Sequence, residues 1–237
     1  ESRVSAPLVP LGLFRLRNLA TANVVGVFWA AAMFAAFFLS ALYLQLVLGY
    51  SPLKVGLAFL PANLVMGVLS LGFSANIVMR YGIKRPLAAG LSLAAIALLL
   101  FARAPVDGHF LVDLLPGMIL LGIGAGIAFN PVLLAAMSDV SPEESGLASG
   151  VVNTSFMMGG ALGLAVLASV ASSRTDSLTA SGESHLAALT GGYHISFLLG
   201  AIFALSAAAI GVTFMRVSGA EAGAHAASPE LAAEAGN

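Results

Sequence analysis

Apolar positions in this chain form long unbroken runs, and charged residues mark only the ends of those runs. Uncharged stretches extend from Asn18 to Leu53, Val55 to Met79, Pro86 to Ala102, Leu114 to Ser138, Ser145 to Ser173 and Ser184 to Met215. A helix that crosses the hydrocarbon of a bilayer needs roughly 17 to 25 apolar residues at 1.5 Å of rise each. All six stretches reach that length, Pro86 to Ala102 only just. Membrane-spanning strands would alternate apolar and polar residues, whereas these runs are continuous and rich in Ala, Leu and Gly. The pattern predicts an all-α polytopic membrane protein. Its six transmembrane helices fall at about 19–48, 52–80, 84–103, 109–138, 142–172 and 189–216. Residues 1–18 form a lead-in segment and 217–237 an Ala/Gly/Glu tail with little to bury, expected to be disordered.

Composition narrows the function classes. The chain is 59% hydrophobic and 9% charged, against roughly 45–50% and about 25% in an ordinary soluble domain, so the lipid bilayer is its first partner. A net charge of −1 gives no electrostatic basis for a nucleic-acid partner or a basic surface anchor. The absence of cysteine excludes disulfides and thiolate metal sites, and no cofactor or metal is expected. The chain opens at Glu1 rather than Met, without a signal-peptide pattern, as expected of a segment of a longer protein.

Basic residues set the expected orientation. With both termini cytoplasmic, Arg3, Arg15, Arg17, Arg80, Lys84, Arg85 and Arg216 lie inside, and Lys54, Arg103 and Arg174 lie outside. Seven against three favours this arrangement. Ser51 and Pro52 read as cap and first residue of the second span. Ser141, Pro142 and Glu144 repeat the device at the fifth, with Glu144 at the capping-box position. Gly49 and Gly82 punctuate short turns, residues 172–187 read as a polar external loop, and Pro61, Pro116 and Pro131 should kink their spans.

The two capped starts are also alike in sequence: SPLKVGLA from Ser51 and SPEESGLA from Ser141. They open the second and fifth spans and so face opposite sides of the membrane. Either two similar caps arose separately, or the chain is an inverted three-plus-three repeat of the kind nested in six-helix transporter halves.

Taken with PLVPLGLFRLRN, LYLQLVLGYSPLKVGLAFLP, LLPGMILLGIGAGIAFNP and SGLASGVVNTSFMMGGALGLAVL, this organisation resembles the C-terminal half of a major facilitator superfamily transporter. The likeness is greatest to the fourteen-helix drug:proton antiporter branch and covers about residues 7 to 216. It implies multidrug efflux by alternating access in the bacterial inner (plasma) membrane, with an N-terminal half, protons and small lipophilic compounds, cationic ones among them, as partners. The family's conformational loop between the second and third spans keeps Arg80, Gly82, Lys84 and Arg85, but its acidic position is Met79, which puts a latch there in doubt. Where similar proteins carry Arg-Gln before paired glycines, this chain has Met157 and Met158.

In this architecture the first and fourth spans line the central cavity. At 100° per residue Asn23, Phe34, Phe37 and Gln45 share one side of the first span, a wall suited to lipophilic or cationic compounds. The phenylalanines face either this cavity or lipid. On the fourth span Met118, Gly122, Gly126, Asn130 and Met137 form a comparable stripe, where the Asn130 amide either repairs backbone freed by Pro131 or meets a ligand. Gly122 and Gly126, with Gly159 and Gly163 on the fifth span, are small-residue faces for helix packing. No Asp, Glu, Lys or Arg lies deep in a span; Asp113 comes nearest, and His194 is expected in an exposed turn. Coupling residues are therefore expected in an N-terminal half.

Two other functions are compatible with six spans. An intramembrane serine protease would use Ser149, in Ala148–Gly150, with His194, but Leu147 replaces a required glycine and the two residues lie near opposite membrane surfaces. A non-transporting assembly module, or a half-transporter that dimerises, is the other alternative.

Overall fold

The computed structural model describes residues 11–216; the first ten residues of the lead-in and the tail at 217–237 lie outside the described residues. Among the described residues there is no strand, and six helices are long and apolar enough to cross a membrane. The first span is α1 (Arg17–Leu42) with a wide π-type turn, Tyr43–Val47, at its end. The second is α2 (Pro52–Val68), which passes through a similar wide turn, Leu69–Phe73, into α3 (Ser74–Tyr81). The third is α4 (Lys84–Phe101), and the fourth is α5 (Leu115–Met137), preceded by the wide turn Phe110–Leu114. The fifth and sixth are α6 (Ser145–Ala180) and α7 (His185–Phe214).

α1 runs through the middle of the bundle and packs on α5, α6 and α7; α4 packs on α5 and α7, and α2 leans on α5. Lipid chains are as apolar as leucine, so burying one greasy face rather than another holds such helices together only weakly, and close backbone approach matters more. The glycines supply it. An added Cβ on Gly90 of α4 would stand 2.6 Å from the Gly124 carbonyl of α5, and one on Gly124 would stand 2.5 Å from the Gly90 carbonyl. A Cβ added to Gly122 would strike the backbone of Ala62 on α2, and one added to Gly126 would come within 2.9 Å of the Met66 carbonyl. On the other side a Cβ added to Gly159 would stand 2.6 Å from Val27 Cα, and one added to Gly163 would stand 2.5 Å from Ala31 Cα. No side chain larger than hydrogen fits these crossings without a shift.

The end of the bundle where α1 begins is tied by polar groups. Asn18, buried, receives the Arg216 amide at Oδ1 (2.9 Å) and donates from Nδ2 to Ser138 Oγ (3.1 Å) and Asp139 Oδ1 (3.0 Å). Its own backbone amide donates to Asp139 Oδ2. One side chain thus joins the start of α1 to the ends of α5 and α7. Arg17 Nε and Lys84 Nζ donate to the Phe214 and Val212 carbonyls, placing two cations on the C-terminal end of α7, where the helix dipole favours them.

Several boundaries differ from the sequence expectation. The fifth span does not end near 172: α6 continues to Ala180, the connection shrinks to residues 181–184, and α7 starts at His185. Thr175 and Thr179 donate their hydroxyls to carbonyls four residues back, so polar residues here sit within the helix rather than ending it. Gly182 then ends it with φ +92°, a conformation that residues with a Cβ avoid. The Ser141 capping box also fails to form. Ser51 accepts the Lys54 amide at 3.4 Å, whereas Ser141, with nearly the same backbone angles, donates its hydroxyl to the Glu144 carboxylate at 3.3 Å. A carboxylate can only accept, so it turns the serine into a donor. Pro116, expected to kink the fourth span, lies in the first turn of α5, where a missing amide costs least.

Replacing Gly163 with Ala should lower the stability of the solubilised protein by about 1–3 kcal/mol through overpacking against Ala31, whereas Gly146→Ala, with open space around its Cα, should not lower it. Thermal unfolding followed by size-exclusion chromatography checks this; equal midpoints for the two variants would mean that the close crossing contributes nothing.

Candidate functional site

Glycine contacts draw α2 onto α5 and α6 onto α1, leaving a trough between the two pairs that aromatic side chains occupy. One cavity of about 400 Å³ is lined by Trp29, Met33, Phe34 and Phe37 of α1, by Met66 and Gly67 of α2 with Ser70 and Leu71 of the following wide turn, by Ala125 and Phe129 of α5, and by Phe156 of α6. A second, of about 390 Å³, is lined by Trp29, Phe129, Val132, Leu133, Ser149, Gly150, Val152, Asn153 and Phe156. Each has the volume of a small-molecule site. Trp29, Phe129 and Phe156 belong to both, so the cavities are neighbours divided by three rings.

Those rings hold one another edge to face. Trp29 lies 5.5 Å from Phe156 at 72° and 5.9 Å from Phe129 at 64°, and Phe34 lies 6.2 Å from Phe156 at 70°. Such pairs set the positive rim of one ring against the negative face of the next. Phe37 tilts onto Phe59 of α2 at 5.5 Å. No Asp, Glu, Lys, Arg or His lines either cavity. The walls can hold apolar and aromatic bodies, and ring faces can attract a cation.

The residues singled out from sequence separate into distinct places. Phe34 and Phe37 line the first cavity. Asn23 donates to the Leu19 carbonyl of its own helix at 2.9 Å and lines neither cavity. Gln45 lies in the wide turn at the far end of the first span, away from both. Met118 does not belong to a cavity wall: it is 1% exposed, inside the helical core. Asn130 donates from Nδ2 to the Ser70 carbonyl at 2.9 Å. This is backbone repair, on the wide turn of the second span rather than on its own helix. In the conformational loop Gly82 turns the chain with φ +73°, Arg80 stacks over Tyr81, Arg85 is exposed, and Lys84 reaches α7 as described. Gly122, Gly126, Gly159 and Gly163 stand at helix crossings.

His194 is not in an exposed turn. It lies within α7, part-buried, with Nε2 2.8 Å from the Ala104 carbonyl. Ser149 lies in the opening turns of α6, so most of that helix separates it from His194. No nucleophile–base pair exists between them.

Sequence periodicity missed the three shared rings. Trp29 lies roughly 120° around α1 from the centre of the Asn23–Gln45 stripe at 100° per residue; its signal was its singularity, as the one tryptophan in the chain.

The two spans beside α1 and α5 also carry exposed apolar side chains. On α2 and the turn after it Leu53, Leu57, Leu60, Leu64, Val68 and Leu71 are exposed in a stripe, and on α6 Met157, Met158, Leu162 and Val166 are exposed. These two spans are the least buried of the six.

Comparison with known proteins agrees with this architecture. The Major Facilitator Superfamily family model matches residues 1–164. The puromycin resistance protein pur8 of Streptomyces alboniger is 34% identical over 210 residues, 85% of this chain and 42% of that protein. The cephamycin export protein CmcT of Amycolatopsis lactamdurans is 34% identical over 186 residues, 78% of this chain and 38% of that protein. The multidrug resistance protein Stp of Mycobacterium tuberculosis is 34% identical over 188 residues, 78% of this chain and 34% of that protein. The chain spans less than half the length of these curated relatives.

Asn130→Leu should destabilise the bundle by about 0.5–2 kcal/mol, the range of an interhelical hydrogen bond in a membrane, while Asn153→Leu at an exposed position should not. Thermal melts of the two variants in detergent check this, and indistinguishable midpoints would remove the Ser70 bond from the account.

Proposed function

Because the chain belongs to the major facilitator superfamily and is a multi-pass membrane protein of transporter lineage, we propose that it is the C-terminal half of a proton-coupled drug exporter of the fourteen-helix branch. It works by alternating access, one six-helix half rocking against the other around a shared site. The aromatic trough is this half's wall of the drug cavity. The carrying observation is its geometry: two adjoining cavities of drug size, walled by rings, in a bundle whose α2 and α6 carry exposed apolar stripes. The N-terminal half covers those stripes. The relatives' names, which speak of puromycin resistance, cephamycin export and multidrug resistance, support an exported antibiotic or drug.

Substrates in this proposal are lipophilic, and cationic ones are held against ring faces rather than by a carboxylate. Protons are carried elsewhere. In the described spans the acid nearest the membrane interior is Asp113, which accepts the His109 amide at 2.7 Å and so serves the start of the fourth span. Coupling acids therefore belong to the N-terminal half. The chain resides in the bacterial plasma membrane with both ends of the bundle's chain cytoplasmic, as its basic residues favour.

Two outcomes follow. In the transporter expressed from its complete reading frame, Phe34→Ala and Phe156→Ala should change the relative resistance to a panel of lipophilic compounds by about tenfold for some of them, at unchanged membrane abundance; uniform loss for every compound would oppose the cavity assignment. Residues 1–237 purified and reconstituted alone should show no proton-driven efflux, and efflux by that segment would place coupling within this half.

A further inference from the structure

Of the three wide turns, only one lies inside a span and beside a cavity. Tyr43–Val47 and Phe110–Leu114 stand at the ends of their spans, whereas Leu69–Phe73 joins α2 to α3, and its Ser70 and Leu71 line the first cavity. Such a turn holds one residue more than a regular helical turn and strands a carbonyl. The Ser74 amide, which would take the Ser70 carbonyl in a regular helix, goes to Leu69 instead. Asn130 of α5 donates to the carbonyl thus freed. A second group is left over. The Ser74 hydroxyl, on a side chain 1% exposed, has no partner among the described residues. Buried Ser40 and Thr21 spend their hydroxyls on carbonyls four residues back. For Ser74 the carbonyl four back is that of Ser70, which Asn130 already holds.

We propose that Ser74 and Asn130 are positioning residues that compete for the Ser70 carbonyl, making the turn at Leu69–Phe73 a two-state hinge in the wall of the drug cavity. The proposal deepens alternating access as the mode of transport and rests on that reading. In the wide form, the one in this structure, Asn130 holds the carbonyl and the Ser74 hydroxyl is orphaned. In the tight form the Ser74 amide and hydroxyl both return to Ser70, and Asn130 falls back on a carbonyl of its own helix, as Asn23 does on Leu19. Each form gives up a hydrogen bond that the other makes, so the two lie close in free energy. Tightening winds in one residue, which turns α3 by about 100° against α2 and lengthens the span by about 1.5 Å. Ser70 and Leu71 shift in the cavity wall as it does so. Little packing within this half opposes the turn: its span is the least buried of the six, and Leu71 and Phe73 are exposed.

The hinge is tested by the distance between two spin labels, on Met79→Cys in α3 and Glu143→Cys just before α6, both exposed positions. Pulsed electron–electron resonance measures it in the complete transporter in lipid nanodiscs, with any other cysteines replaced. A side chain about 5 Å from the helix axis moves by about 8 Å in a 100° turn, so the two forms give separate peaks. Wild type should show both. Ser74→Ala removes an orphan from the wide form and a bond from the tight one, and should raise the ratio of wide to tight by about threefold to tenfold. Asn130→Leu leaves the Ser70 carbonyl unpaired only in the wide form, and should lower the ratio by a similar factor. Both variants should slow export of a lipophilic compound at unchanged membrane abundance. Ser74→Ala loses a single oxygen, so it keeps the test open if Asn130→Leu does not fold. An unchanged distribution in Ser74→Ala, or shifts of both variants in one direction, would overturn the hinge whatever the export rate. Opposed shifts with export at the wild-type rate would remove the turn from the transport cycle. Opposed shifts in a complete protein that exports nothing would instead overturn the exporter reading and leave the two-state turn in place.

Discussion

Within hydrocarbon a backbone amide has no water to turn to, so each span pairs its polar groups internally and presents a cylinder of side chains. What then decides how the cylinders lie is how closely their axes can approach, and in this bundle glycine sets that distance. Gly90 and Gly124 bring α4 and α5 together backbone to backbone; Gly122 and Gly126 do the same for α5 and the second span, and Gly159 and Gly163 for α6 and α1. The polar tie at Asn18 then gathers the ends of α1, α5 and α7 at one membrane surface. The trough follows from these contacts. Its four walls are two glycine-joined pairs, and the space between the pairs is filled by side chains too large and too rigid to close it.

Aromatic rings suit that position for a physical reason. A flexible aliphatic lining would collapse into the gap, whereas Trp29, Phe129, Phe156 and Phe34 hold one another edge to face and keep two cavities apart. The wide turn after α2 contributes from the other side. It loosens the helical ladder at Ser70, and Asn130 caps the carbonyl there across the helix interface. A side chain of the fourth span thus stabilises an irregularity that borders the cavity.

The spans were legible because uninterrupted apolar length is a direct demand of the bilayer, and composition alone removed soluble and strand-based alternatives. The end of the fifth span was not, since Ser172, Ser173, Thr175 and Ser177 mark where water begins rather than where the helix stops. The same error put His194 at a turn, although α7 starts nine residues before it. The cavity was half legible. Phe34 and Phe37 stand in its wall, but the predicted stripe also takes in Asn23, whose amide bonds its own helix, and Gln45, which lies in the wide turn beyond the cavities. Met118 and Trp29 could not be ranked from sequence, because a helix that is apolar all round carries no periodic contrast to say which side faces protein. Which glycine meets which, as Gly90 meets Gly124, is a tertiary fact that a single chain's pattern does not contain.

The central claim is that the trough is a passage wall reached by water and by drug, not a lipid-facing seam. This chain has no cysteine, so single cysteines placed in it report cleanly once any cysteines elsewhere in the complete transporter are replaced, and Gly67 and Gly150 line the two cavities with open space for a side chain. Alkylation of Gly67→Cys and Gly150→Cys by a water-soluble maleimide, measured in the complete transporter with and without an exported compound, tests the claim most directly. The account predicts labelling at both positions that slows when the compound is present, with Ile96→Cys on the exposed side of α4 left unlabelled. Cysteines at 67 and 150 as inert as the one at 96, or labelled at a rate the compound does not alter, would contradict it.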